Sequence, residues 1–145
     1  MENEKEYKVL ADVDQLDQVM TYMEAYMNEV RCDESIRVMV MICVEEIFVN
    51  IAHYAYRERG YVWVRLHSSE ENNQESRLTI RFEDEGKPFD PLQRADPDVT
   101  LGGEERKIGG LGIFMVKQSM DEVSYEYANG RNIFTMEKKW KRNQS

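Results

Sequence analysis

Apolar residues recur at helical spacing through two long stretches in the first half of the chain. Leu16, Val19, Met20, Met23, Met27 and Val30 are separated by three, one, three, four and three positions, which lays them on one stripe of a helix. The spacing predicts a first helix from about Val13 to Arg31, with Asp12 or Asp14 as its N-cap. Val44, Ile47, Phe48, Ile51 and Ala55 repeat the pattern inside a second helix, expected from Glu34 to about Arg57, with Asp33 as N-cap and Gly60 in the C-cap region. The period then changes to two. Tyr61–His67 is β-branched and aromatic, and Arg77–Glu83 alternates Leu78, Ile80 and Phe82 against Arg77, Thr79 and Arg81, so both read as strands. The polar run 68–76 between them reads as a hairpin loop.

A weaker alternation at Tyr7–Ala11 suggests a short edge strand. Residues 84–91 are rich in breakers, and Leu92–Lys107 has few apolar positions, the pattern of a long binding loop or lid. A third helix is expected over Ile113–Met120. The strands Val123–Tyr127 and Asn132–Lys138 follow, joined by an Asn129-Gly130 hairpin turn, and the basic tail from Lys139 reads as frayed. The order β-α-α-β-β-loop-α-β-β predicts an α+β fold: a two-layer sandwich in one domain spanning 1–145, with helices on one face of a mixed, mostly antiparallel sheet.

Charge changes the functional picture more than composition does. With 19 basic and 28 acidic residues the net charge is −9. That balance argues against a nucleic-acid backbone or an anionic membrane as the main partner. No apolar run approaches a membrane span, and the start MENEKEYKVL lacks a signal layout, so a cytoplasmic protein is expected. Cys32 and Cys43 stand in no metal or redox spacing and read as buried free thiols. Most of the nine methionines read as core, with an interface open for some.

Three groups of residues carry candidate chemistry. Glu46, Asn50 and His53 fall on one face of the second helix. A carboxylate among apolar neighbours needs a polar partner, and hydrated Mg²⁺ with phosphates would serve; taken alone, however, the face reads first as the polar edge of an ordinary amphipathic helix. His53 reads as a packing histidine, and Glu45, about 100° round the helix, as a solvated one. Asp84 ends a strand two residues before Gly86. An ionised Asp accepts hydrogen bonds, as from an exocyclic amine, and Gly86 would let a flat ring lie against the backbone, although Asp-x-Gly turns are common. Gly109-Gly110-Leu111-Gly112 precedes a helix, a layout that offers backbone N–H groups to an anion.

In this order, Glu46-x-x-x-Asn50, Asp84-x-Gly86, a flexible segment and Gly110-x-Gly112 resemble the GHKL ATPases (the Bergerat fold), which include gyrase and histidine-kinase ATP domains. The size and the segment GGLGIFMVKQSMDEV resemble the bacterial anti-sigma factor serine/threonine kinases of partner-switching systems. The resemblance implies ATP and Mg²⁺ as cofactors, with Asn50 as the metal ligand and Glu46 as general base. Asp84 would meet the adenine amine beside Gly86, and Gly110, Leu111 and Gly112 would hold the phosphates under a lid at about 92–107. It also implies an anti-anti-sigma (STAS-domain) substrate, a sigma factor as second partner, and a homodimer in which the Met-rich first helix could take part. Pro88 stands where many members have glycine, and neither Asn132 nor Thr135 can be matched to the threonine that many members place near the last strand. A non-catalytic ATP-dependent switch and a plain interaction module stand as alternatives. A carboxylate at position 46 favours the kinase, since a switch needs no base there.

Overall fold

The computed structural model describes residues 2–71, 74–93 and 110–142. Its strands are β1 (Glu2–Leu10), β2 (Tyr61–Glu70), β3 (Glu75–Asp84), β4 (Glu122–Ala128) and β5 (Arg131–Lys141), and its helices α1 (Leu16–Glu29), α2 (Glu34–Tyr54) and α3 (Gly110–Ser119). The strands form a single sheet in the order β1-β2-β3-β5-β4. All four pairings are antiparallel, so the sheet is not mixed as expected. Its connections are hairpins or helical excursions that return to the same face.

The helices pack on one face, as the alternation requires. Val62, Val64, Leu66, Leu78, Ile80, Phe82, Phe134 and Met136 point inward and are buried against Val40, Val44, Ile47 and Phe48 of α2 and Val19, Met23 and Met27 of α1. Removing each such side chain from water contributes about 1.5–3 kcal/mol. The methionine stripe of α1 is therefore spent inside the fold: Met23 and Met27 are fully buried and Met20 packs against the core. Cys32 and Cys43 are buried free thiols. Burial pushes Cys32 up to about 11 and raises Cys43 as well, which leaves both inert as nucleophiles.

The strands run further than local composition suggests. Ser68 and Ser76 belong to strands and are buried, because Ser68 pairs with Asn3 and Ser76 with Trp140. The expected loop 68–76 shrinks to 71–74. β1 starts at Glu2 rather than Tyr7, and Lys139–Lys141 lie in β5 with Trp140 buried rather than in a frayed tail. Asn129 (φ 54°) and Gly130 (φ 77°) make the expected hairpin turn.

The helix ends also differ. A 3-10 turn at Val13–Gln15, capped by Asp12, precedes α1. α1 stops at Glu29 in a Schellman arrangement: Arg31 adopts φ 57°, Cys32 N–H donates to Met27 O at 2.9 Å, and Arg31 N–H donates to Asn28 O at 3.2 Å. Asp33 caps α2, which ends at Tyr54, short of Arg57. Gly60 is not a cap. A Cβ there would fall 2.4 Å from the Tyr56 ring, which lies against it.

Candidate functional site

The C-terminal half of α2, the end of β3 and the start of β5 border an open cleft. Its apolar lining includes Ile47, Ile51, Ala55, Ile113 and Phe134, and its polar lining includes Asn50, Asp84 and Asn132. The polar floor follows from register. Asp84 and Asn132 face each other across β3 and β5, one row beyond the apolar pair Phe82 and Phe134 on the helix-covered face of the sheet. Both are buried, at 5% and 7% exposure.

Asp84 Oδ1 accepts from Gly86 N–H at 2.9 Å and from Asn132 Nδ2 at 2.9 Å. Burial pushes the Asp84 carboxyl above its ordinary range, and the bonds from Asn132 and Gly86 oppose that rise. The turn that follows is fastened at several points. Glu85 N–H donates to Tyr56 Oη at 2.6 Å, while the Tyr56 hydroxyl donates to Tyr61 O at 2.7 Å. Gly86 is buried against the end of α2, where a Cβ would fall 2.2 Å from Ala55 O. Its missing side chain makes room for helix backbone, a demand that the sequence alone assigned to a ligand ring.

Asn50 lines the cleft from α2. Glu46, one turn earlier, reaches α3: a Cβ on Gly112 would fall 2.1 Å from Glu46 Oε2. The helix spacing thus does bring Glu46 beside the glycine segment, whose Gly110, Leu111 and Gly112 form the first turn of α3 rather than a loop before it. His53 shares that side of α2 but is exposed, with its ring tilted against Tyr54 at 6.0 Å, and is not a packing residue. Glu45 is exposed, as expected. Of the expected lid, Leu92 and Gln93 lie in a 3-10 turn at Pro91–Gln93, and 94–107 fall outside the described residues.

Among the described residues, no group of three His, Cys, Asp or Glu side chains gathers to hold a metal. A cation here would take oxygens from its ligand beside the Asn50 carboxamide. That donor set suits Mg²⁺, which keeps several waters and needs few protein ligands when phosphates are present.

Comparison with known proteins decides the family. The profile of the histidine kinase-like ATPase domain matches residues 9–138. The chain belongs to that family. In the histidine kinase-like ATPase fold an apolar cleft with a polar floor has an evident ligand, since an ATPase domain implies ATP. The chain is 31% identical over 98 residues to the serine-protein kinase RsbW of Listeria innocua, a match covering 63% of this chain and 59% of that one. It is 23% identical over 106 residues to the serine/threonine-protein kinase BtrW of Bordetella bronchiseptica, covering 73% and 72%. The chain thus spans under two thirds of the Listeria relative's length. Among solved structures, the RsbU and RsbW domains of a Mycobacterium tuberculosis protein share the fold, with a TM-score of 0.60, 12% identity and coverage of 94% of this chain and 32% of that one.

Within this family member, Asn132 is the site residue that the sequence left unassigned. Nδ2 donates to Asp84 Oδ1, to Lys87 O at 2.9 Å and to Gly86 O at 3.3 Å, and Oδ1 accepts from Phe89 N–H at 3.0 Å and from the Tyr125 hydroxyl. Its place at the start of the last strand was the available signal, and only the β3–β5 register makes it a neighbour of Asp84. Thr135, level with Arg81 and Ser124 three residues on, faces the helix-free side and is excluded.

Proposed function

We propose that this chain is an ATP-dependent serine/threonine protein kinase of the partner-switching kind. Its substrate would be an anti-anti-sigma (STAS-domain) antagonist and its second partner a sigma factor, in the cytoplasm. The observation that carries the reading is the Glu46 carboxylate against Gly112 in the first turn of α3, one turn along α2 from Asn50 in the cleft. The kinase names of the Listeria and Bordetella relatives support it.

Each residue has a task that its environment suits. Asp84, ionised, accepts from the exocyclic amine of adenine, and Ile47, Ile51, Ala55 and Phe134 give the base an apolar bed. The first turn of α3 offers N–H groups of Gly110, Leu111 and Gly112 to phosphate oxygens. Asn50 would hold Mg²⁺, which when bound neutralises charge on the phosphates. Glu46, half-buried and beside that turn, accepts the proton of an incoming serine or threonine hydroxyl. Ile42 and Val38 lie one and two turns before Glu46 on the same helix face and stay 42% and 64% exposed, where a protein substrate would make contact.

Calorimetry with ATP and ADP, with and without Mg²⁺, followed by phosphotransfer to STAS-domain proteins, tests the reading. Glu46→Gln should abolish transfer and keep nucleotide binding, and Asn50→Ala should weaken Mg-ATP binding itself. Tight ATP binding with no transfer to any such acceptor would leave the non-catalytic switch in its place.

A further inference from the structure

We propose that the helix-free face of the sheet is a docking surface for an extended, acidic segment of a protein partner.

The register sorts the charges of this face by strand. Arg65 stands directly opposite Arg81 across β2 and β3, and Arg77 directly opposite Lys139 across β3 and β5. Directly opposed like charges weaken a sheet, and both pairs lie on the central strands of a chain whose net charge is −9. Arg131 and Lys141 bring the cations of these strands on this face to six, against the three carboxylates Glu75, Glu83 and Glu137. The margins are acidic instead, with Glu4 and Glu6 on β1 and Glu122 and Glu126 on β4.

The cationic centre is held in place. Glu83 is buried, with Oε2 3.0 Å from both Arg65 Nε and Arg81 Nε and Oε1 3.3 Å from Arg131 Nη1. One carboxylate thus fixes three guanidiniums, while the Arg65 and Arg81 side chains stay 44% and 41% exposed. Arg131 also lies 3.7 Å over the Trp63 ring. Guanidiniums ordered in advance lose less freedom when they meet a further carboxylate.

The shape of the charge selects the occupant. The cationic strip is two strand spacings wide, about 10 Å, and runs along the strands. An extended chain fits it, with alternate carboxylates turned to the sheet. The phosphates of a nucleic-acid duplex would overrun it onto the acidic margins. A second copy centred on this face would set arginine against arginine. The face lies across the sheet from α2, which carries Glu46 and Asn50, so a partner held there leaves the cleft open.

Trp63 is the reporter, because the other tryptophan, Trp140, is buried on the helix-covered face. Its fluorescence is titrated with an alternating Glu-Ser peptide of about ten residues, the length of a strand of this sheet, and with a Lys-Ser peptide and a single-stranded oligothymidylate of similar length, at about 50 mM salt. The unaltered chain should bind the Glu-Ser peptide and not the Lys-Ser peptide. Arg81→Gln combined with Lys139→Gln should weaken that binding at least about tenfold. Arg57→Gln, an exposed charge after α2, should weaken it less than about twofold. Lys139→Gln alone covers the case of a misfolded double variant. It leaves the Glu83 cluster intact and relieves the opposition to Arg77, so its Tm should hold or rise while the peptide binds about threefold or more weakly. No binding of the Glu-Ser peptide, equal weakening in Arg57→Gln, or tighter binding of the oligothymidylate would overturn the inference. So would a dimer of the unaltered chain that the double variant dissociates in sedimentation, since the face would then belong to a second copy.

Discussion

The carboxylate of Glu46 on α2 occupies the space that a side chain at position 112 on α3 would fill, 2.1 Å from where that Cβ would stand. The bare Cα of Gly112 is thus a condition for the placement of Glu46. Gly112→Ala should push the carboxylate away from the first turn of α3. The same change adds a better helix former, worth about 1 kcal/mol, so folding should not suffer. Phosphotransfer should drop by about 10²-fold or more, the usual contribution of a positioned general base, while thermal stability holds or rises. A variant that loses stability and activity together would show that the glycine serves packing alone.

Gly86 is confined differently, by backbone. The Ala55 carbonyl oxygen, 2.2 Å from a Cβ at 86, cannot swing aside as the end of a glutamate can. Gly86→Ala should separate the 84–86 turn from the end of α2 and cost about 1–3 kcal/mol, as overpacking does. Chemical denaturation would measure the loss, and ATP affinity should fall with it. Full stability in the alanine variant would mean that the turn can shift at no cost.

How far the sequence carries depends on whether a residue's role is local. The stripe of α1 and the alternation at Arg77–Phe82 report their own burial, because their periods of 3.6 and 2 are properties of one element. The Glu46–Asn50 pair was legible for the same reason, being one turn of one helix. Ser68 and Ser76 were misread as loop since their polarity says nothing of the Asn3 and Trp140 opposite them. Asn132 was legible only as a candidate. Its bonds to Asp84 and to Lys87 span 48 and 45 residues, and only the β3–β5 register supplies them. Gly86 was read as room for a ligand, whereas the demand comes from Ala55.

Arg31 gives a prediction remote from the cleft. It holds φ 57° as the residue after the α1 C-cap, a left-handed conformation that costs an L-residue about 1–2 kcal/mol. Arg31→Gly relieves that cost, offset in part by the greater freedom of glycine in the unfolded chain. The net gain should be about 0.5–1 kcal/mol, a rise of about 2–4 °C in Tm. Nucleotide affinity should not change. A drop in Tm would mean that the Arg31 side chain makes a contribution larger than the backbone strain.

Asp84 should trade stability for function, with a dependence on pH whose sign is fixed by its burial. Burial raises its carboxyl above the ordinary value of 3.8, so between the two values the folded chain holds a proton that the unfolded chain has released. Stability therefore falls as pH rises through that window, and above it the buried carboxylate remains a cost. Asp84→Asn keeps an oxygen for Gly86 N–H and Asn132 and removes the charge. At neutral pH the variant should be the more stable of the two and should bind no ATP. As pH falls through the raised value towards 3.8 the unaltered protein should close the gap, since its carboxyl is then neutral as well. Thermal unfolding of both proteins across that range checks the sign: a difference in Tm that stays constant with pH would mean that Asp84 is not the group being desolvated, and a variant less stable at neutral pH would mean that the carboxylate's bonds to Gly86 and Asn132 outweigh its burial.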